Sequence, residues 1–193
     1  MKLASETKSG ELVIDAKNIN KTFAEKCVVN EFSIKIKRGD RIGIVGPNGV
    51  GKTTLLKILL GEVQPDFGKI KLGTNLIIAK FDQMREQLNL ENSLLQNLID
   101  DPDIKSAGAA GQIIVRGKPK HVAGYLKGFL FSEFQLRSPV KSLSGGEKAR
   151  LLLAKIMVKE SNLLVLDEPT NDLDLETLDL LQEIIADYPG TVL

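Results

Sequence analysis

Eight consecutive residues constrain this chain more than any others: Gly46-Pro47-Asn48-Gly49-Val50-Gly51-Lys52-Thr53 fit the pattern G-x-x-x-x-G-K-[ST]. A short apolar run, Arg41–Val45, precedes them, and a helical pattern follows through Leu60. Strand, glycine loop and helix form one βα unit, which predicts an α/β protein with a parallel-sheet core. Glycines let backbone N–H groups wrap a polyphosphate where side chains would block the approach. A helix opening near Gly51 adds its positive end. Lys52 is then placed to reach the β- and γ-phosphates and the Thr53 hydroxyl to ligate Mg²⁺, with Thr54 next in the same turn. The plainer alternative is a glycine-rich turn with an incidental lysine.

Two further runs bear on the same chemistry. Leu163–Leu166 reads as a buried strand and ends in Asp167-Glu168. Carboxylates at the C-terminal tip of a parallel strand are well placed for a site at the sheet edge. Asp167 can hold Mg²⁺ through water, and Glu168 can polarise an attacking water as general base. Leu143-Ser144-Gly145-Gly146-Glu147 opens a helical pattern and offers free N–H groups and a hydroxyl to a phosphate. An ordinary helix cap, with Ser144 at the N-cap and Glu147 three residues on, accounts for those two residues but not for the two glycines.

In this order and spacing the three runs resemble the nucleotide-binding domain of the ATP-binding cassette (ABC) superfamily, with Leu143–Glu147 as its signature motif. The resemblance covers about residues 11–193. It implies a P-loop NTPase fold of ABC type: a parallel-sheet core, an N-terminal antiparallel β part and a helical subdomain insertion. It implies ATP and Mg²⁺ as ligands. Gln83 matches the Q-loop glutamine, which touches Mg²⁺ and the attacking water. Phe23 matches the aromatic that stacks on adenine, against the alternative of a core phenylalanine. Asn171-Asp172-Leu173-Asp174 match the D-loop. The string DEPTNDLD (167–174) is similar to that of the soluble ABC-F family, which acts on the ribosome and lacks a membrane domain. Gly117–Phe131 followed by Ser138–Ala154 is similar to the second cassette of the Uup-like group.

The nucleotide-binding set implied by residues and resemblance together is Phe23, Gly46, Pro47, Asn48, Gly49, Gly51, Lys52, Thr53, Thr54, Ser144, Gly145, Gly146 and Asp172. The Mg²⁺ set is Thr53, Gln83 and Asp167, and the catalytic pair is Glu168 and Gln83. In the family, ATP lies between the P-loop of one cassette and the signature motif of another, so a second cassette is the implied partner, as a homodimer or a separate chain. The family's switch histidine falls a few residues beyond Leu193, and its loss predicts reduced turnover. Two other readings stay open at this point: a cassette that binds ATP without hydrolysing it, and the ATPase subunit of a membrane transporter, against which Asn171-Asp172 argue.

Composition narrows the field. No apolar run in the 193 residues approaches the roughly 20 needed to span a bilayer, and the first twenty hold no signal-peptide stretch. A single cysteine, Cys27, excludes an internal disulfide framework and fits a cytoplasmic protein. The formal net charge is +1, yet residues 160–193 hold nine acids and no Lys or Arg. Arg116, Lys118, Lys120 and Lys127 form a local basic cluster, either a solvated face or a contact for ribosomal RNA or a partner cassette. His121, the only histidine, lies far in sequence from the acids.

Residues 1–10 read as a flexible leader or linker remnant. Short strands are expected at Leu12–Ile14, Val28-Val29, Phe32–Lys37, Lys69–Leu72 and Leu76–Phe81. Residues of about 84–158 read as the helical insertion, with helices at Ser93–Leu98, His121–Phe131 and Glu147–Val158 and a turn at Gly117-Lys118-Pro119. A helix near Leu175–Tyr188 completes the pattern.

Overall fold

A computed structural model of the chain describes residues 9–81, 88–108, 111–170 and 173–193. It divides into two compact units. The first, a β unit, comprises residues 9–78 with Ser161–Asp167 and Tyr188–Leu193. Its antiparallel sheet holds β1 (Leu12–Phe23) between β2 (Lys26–Lys37) and β3 (Phe67–Leu72). Val13, Ile14 and Ile19 of β1 are fully buried, and core packing of this face fixes the register. The three short strands expected between residues 12 and 37 are pieces of these two 12-residue strands. Polar residues such as Lys17, Asn18 and Lys21 hide the continuity, because their strand character comes from pairing and not from apolar alternation. Gly68 is required at its place: its φ is 94°, and a Cβ there would lie 2.4 Å from the Asn18 carbonyl oxygen.

Ser9 and Gly10, read as part of a free leader, are tied to this unit. The Gly10 amide donates to Thr74 O (3.1 Å), and the Arg38 guanidinium donates to Ser9 O (2.8 Å). Helix α1 (Lys52–Leu59) buries Leu56, Ile58 and Leu59 in the core shared with β1 and β2. The parallel part consists of β7 (Leu163–Val165) and β8 (Thr191–Val192), paired Leu163↔Thr191 and Leu164↔Val192. On the other side of β8, Arg41 bridges Val192 in parallel and the Ile42 amide donates to Val192 O (2.9 Å). Beyond Ile42 the expected strand Arg41–Val45 does not form. β8 supplies it no further hydrogen bonds, and Val45 is 98% exposed. Asn162, buried beside β7, accepts from the Ile77 amide (2.8 Å) and donates to Asn75 O (2.7 Å).

The chain leaves through β4 (Ile78–Lys80). The second unit, mostly helical, comprises Ala79–Glu160 and Glu168–Asp187, so it takes in more than one contiguous insertion. It holds α2 (Leu94–Ile99), the hairpin β5 (Gln112–Val115)–β6 (Lys118–His121), α3 (Val122–Lys127), α4 (Glu133–Arg137), α5 (Gly145–Val158) and α6 (Leu175–Asp187). Helices α2, α3 and α4 pack on one another, and α5 packs on β5 and α6. Reciprocal capping boxes start α2 (Ser93/Gln96), α4 (Ser132/Gln135) and α5 (Ser144/Glu147). Under α5 the Tyr125 hydroxyl donates to Ala154 O (2.8 Å), and Lys155 and Asp101 form a buried ion pair (2.8 Å).

The hairpin differs from expectation. Its turn is Arg116-Gly117, both left-handed (φ 49° and 75°), so Lys118 and Pro119 already belong to β6. Two left-handed residues match the twist of the flanking strands. Lys-Pro-Lys along β6 blunts an otherwise open sheet edge. Among the described residues no helix is long and apolar enough to cross a membrane.

Candidate functional site

The glycine loop joins the 40–42 segment to α1. Its glycines Gly49 and Gly51 have φ of 75° and 112°, values only glycine takes without strain. Gly51 is also sterically obligatory, since a Cβ there would lie 2.3 Å from Val28 Cγ1 on β2. It serves as N-cap of α1 with no side-chain cap, so the first-turn amides of Lys52, Thr53 and Thr54 are left to other partners. The Lys52 ammonium folds back on the loop and donates to Gly46 O (3.0 Å), Pro47 O (3.2 Å) and Asn48 Oδ1 (3.5 Å). The loop therefore holds its own cation among carbonyl oxygens.

The parallel pairing brings the second run to the same edge. Segment 40–42, β8 and β7 run side by side in one direction. Asp167 thus follows β7 at the carboxyl edge of the parallel strands that segment 40–42 joins. Thr53 is exposed and Asp167 half-buried. A hydroxyl and a carboxylate are hard oxygen donors of the kind Mg²⁺ takes, so this donor pair fits that ion. No group of three His, Cys, Asp or Glu that could hold a metal ion occurs among the described residues. Asp167 is the last residue of its β-unit segment, and Glu168 opens the next segment of the helical unit. Glu168 is exposed and left-handed, with φ 46°. That conformation costs a glutamate about 1–2 kcal/mol, a strain typical of functional positions.

Phe23 is 49% exposed, which removes the core alternative. It ends β1 opposite Lys26, with the Lys21 ammonium 5.2 Å from its ring centroid. Lys21 in turn pairs with Asp66 (2.7 Å), whose carboxyl is held below its usual range by that hydrogen bond and by the Thr22 amide. Lys26 reaches the glycine loop, donating to Gly49 O (3.4 Å). Phe23 and the glycine loop are thereby connected through β2 by Lys26 and Val28, two residues that no motif marks.

In the helical unit Ser144 does cap α5: its hydroxyl accepts from the Glu147 amide (3.2 Å), and Glu147 Oε2 accepts from the Ser144 amide (2.7 Å). That amide, first among several contacts, holds the Glu147 carboxyl below its usual range. The cap leaves Gly145 unexplained, because a Cβ there would meet nothing within 4 Å. Asp174 accepts from the Thr177 amide (2.8 Å) and so caps the start of α6. Gln83 and Asn171-Asp172 lie outside the described residues. His121 Nδ1 accepts from the Ala123 amide (3.3 Å) as an N-cap of α3. Lys127 pairs with Glu133, while Arg116, Lys118 and Lys120 are exposed around the hairpin turn.

A family model described as "ABC transporter" matches residues 29–171, which include the glycine loop, the Ser144 run and Asp167-Glu168. The chain belongs to this ABC family. The cassette is 52% identical over its whole length to the ATP-binding protein Uup of Caulobacter vibrioides and spans 31% of that protein. It is 36% identical over 181 residues to the energy-dependent translational throttle protein EttA of Haemophilus influenzae, covering 94% of the cassette and 31% of EttA. The cassette thus spans about three tenths of the length of these curated relatives. Among solved structures, a dimeric ATP-binding cassette in a post-hydrolysis state with ADP and Pi matches with a TM-score of 0.65 at 23% identity. That match covers 93% of this chain and 86% of the other, a likeness of fold.

Proposed function

We propose that this cassette binds ATP with Mg²⁺ and hydrolyses it as part of an ABC-F, Uup-like protein that works on the ribosome in the cytoplasm. The carrying observation is the glycine loop itself: a cation held on loop carbonyls beside an uncapped helix N-terminus, at the sheet edge where Asp167 also emerges. In this reading Lys52 transfers its hydrogen bonds from Gly46 O and Pro47 O to phosphate oxygens. The first-turn amides of α1 take the same group, and Phe23 offers its exposed ring to the base. Thr53, Asp167 and Gln83 would hold Mg²⁺, which supplies charge neutralisation at the phosphates when bound. Glu168 takes a proton from the attacking water, and Gln83 orients that water.

The open space at Gly145 supports a role outside its own chain. Ser144, Gly145 and Gly146 would face a nucleotide held by a second cassette, with Asp172 at the same junction, whether that partner is another copy or a separate chain. The throttle protein's name, relating it to translation, supports the ribosome as the larger partner. Contact with ribosomal RNA would fall first to Arg116, Lys118 and Lys120.

The test is equilibrium binding of ATP with Mg²⁺, followed by phosphate release in a single turnover. Binding that Lys52→Ala weakens at least about tenfold, as loss of a charge-assisted contact requires, supports the assignment. Wild-type affinity in that variant sinks it. Binding without phosphate release leaves a nucleotide-binding half and removes hydrolysis from the proposal.

A further inference from the structure

We propose that Lys26 is a positioning residue for the nucleotide: it fixes the Gly49 peptide of the phosphate loop and ties the aromatic end of the site to the phosphate end. This rests on the ATP-binding reading above.

The two-residue turn Ala24-Glu25 sets Lys26 directly across from Phe23. The Lys26 ammonium donates to Gly49 O at 3.4 Å. In a trans peptide the C=O and the following N–H point in opposite directions. That following N–H, on Val50, donates to Pro47 O at 3.4 Å. The Gly49–Val50 peptide is therefore held at both edges, in a residue whose φ of 75° lies in the left-handed region. Pro47 O also accepts from Lys52 at 3.2 Å. One network thus runs from Lys26 through the Gly49 peptide and Pro47 O to the phosphate-seeking lysine.

Ligand entry changes only one end of that network. When Lys52 turns to phosphate oxygens, Pro47 O and Gly46 O each lose a donor, and the loop loses part of what shapes it. The Lys26 contact needs no phosphate partner and persists. Two residues further along β2, where the pairing shifts from Thr22↔Cys27 to Lys21↔Val29, Val28 abuts Gly51. One strand therefore braces the loop at two points, and its first residue lies opposite Phe23 of β1. Lys26 is exposed, so its contact adds little to global stability, which separates a positioning role from a folding one.

The experiment compares the full chain with Lys26→Ala and Lys26→Arg. It measures dissociation constants for ATP, ADP and adenosine with Mg²⁺ present, and the Tm without nucleotide. Lys26→Ala is expected to weaken ATP and ADP by about threefold to tenfold. Adenosine, which has no phosphate to meet the loop, should shift by less than about twofold. The nucleotide-free Tm stays put, and Lys26→Arg restores ATP affinity. Unchanged ATP affinity in Lys26→Ala overturns the assignment. So does an equal loss for adenosine, or a lowered Tm that Lys26→Arg does not recover, since either marks a structural lysine. A wild-type chain that binds no ATP overturns both this assignment and the reading beneath it.

Discussion

Glu168 combines an exposed carboxylate at the end of a buried strand run with a left-handed backbone. The two properties can be separated by substitution. Glu168→Gln keeps shape and removes the base, so phosphate release should fall by at least about a hundredfold while ATP binding is retained. Glu168→Gly removes the base and relieves the backbone. Relief of about 1–2 kcal/mol offsets the roughly 0.5–1 kcal/mol entropic cost of glycine, so its Tm should match or exceed that of Glu168→Ala, which loses the same side-chain contacts. Thermal unfolding of these variants beside phosphate release checks this, and undiminished release in Glu168→Gln removes the base assignment. The carboxylate was legible from sequence because its chemistry lies in its side chain and its place after four apolar residues. Its strain was not, because no side-chain pattern encodes a φ of +46°. Lys26 was illegible for a related reason: only the register of β1 on β2 brings it to Gly49.

At the scale of elements, α5 carries the sharpest question. Its sequence allows an N-terminus that is a cap or a phosphate site, and the cap is present. Gly145 is the residue the cap does not require, since among the described residues a Cβ there would meet nothing within 4 Å. Gly145→Ala should therefore keep the Tm or raise it by up to about 3 °C, the equivalent of about 1 kcal/mol of helix propensity. It should leave ATP binding intact and reduce turnover wherever the signature meets a partner's nucleotide. A variant with full turnover would return Gly145 to an incidental residue of an ordinary cap. Helices with clear apolar periodicity, α5 and α6, were legible within a few residues. The β5–β6 hairpin turns at Arg116-Gly117 and not at Gly117-Lys118-Pro119, because glycine and proline mark a turn only approximately. Arg116 supplies the first left-handed position, and Pro119 sits in an edge strand where its missing N–H costs nothing.

At the scale of the molecule, each unit is assembled from separate stretches of chain. Local pattern does not reveal this, because the packing of α6 on α5 joins residues about 30 apart. What holds the helical unit's first stretch together is partly ionic. Lys155 of α5 meets Asp101 at 2.8 Å with both side chains under a tenth exposed, and Lys159 adds a second contact at 3.2 Å. Burial pushes the Asp101 carboxyl up, but hydrogen bonds from Lys155, the Asp103 amide and Lys159 outweigh it and hold it below its usual range. Glu147 is lowered as well. Groups depressed in the fold take up protons more readily once unfolded, so their stabilisation is complete above the unfolded pKa of about 4 and is lost as pH falls through the folded values. The Tm should be level from about pH 7 to pH 5 on account of these groups and drop steeply below about pH 4. Asp101→Asn leaves Lys155 buried against a neutral amide, which should cost about 3 kcal/mol at pH 7, or roughly 10 °C in Tm for a chain of this size. It should also flatten the acid slope, since one depressed carboxyl no longer titrates. Thermal unfolding of both proteins between pH 3 and pH 7 measures the two effects together. A variant that matches the wild type at pH 7 and shares its acid slope would mean that the buried pair contributes nothing to the fold.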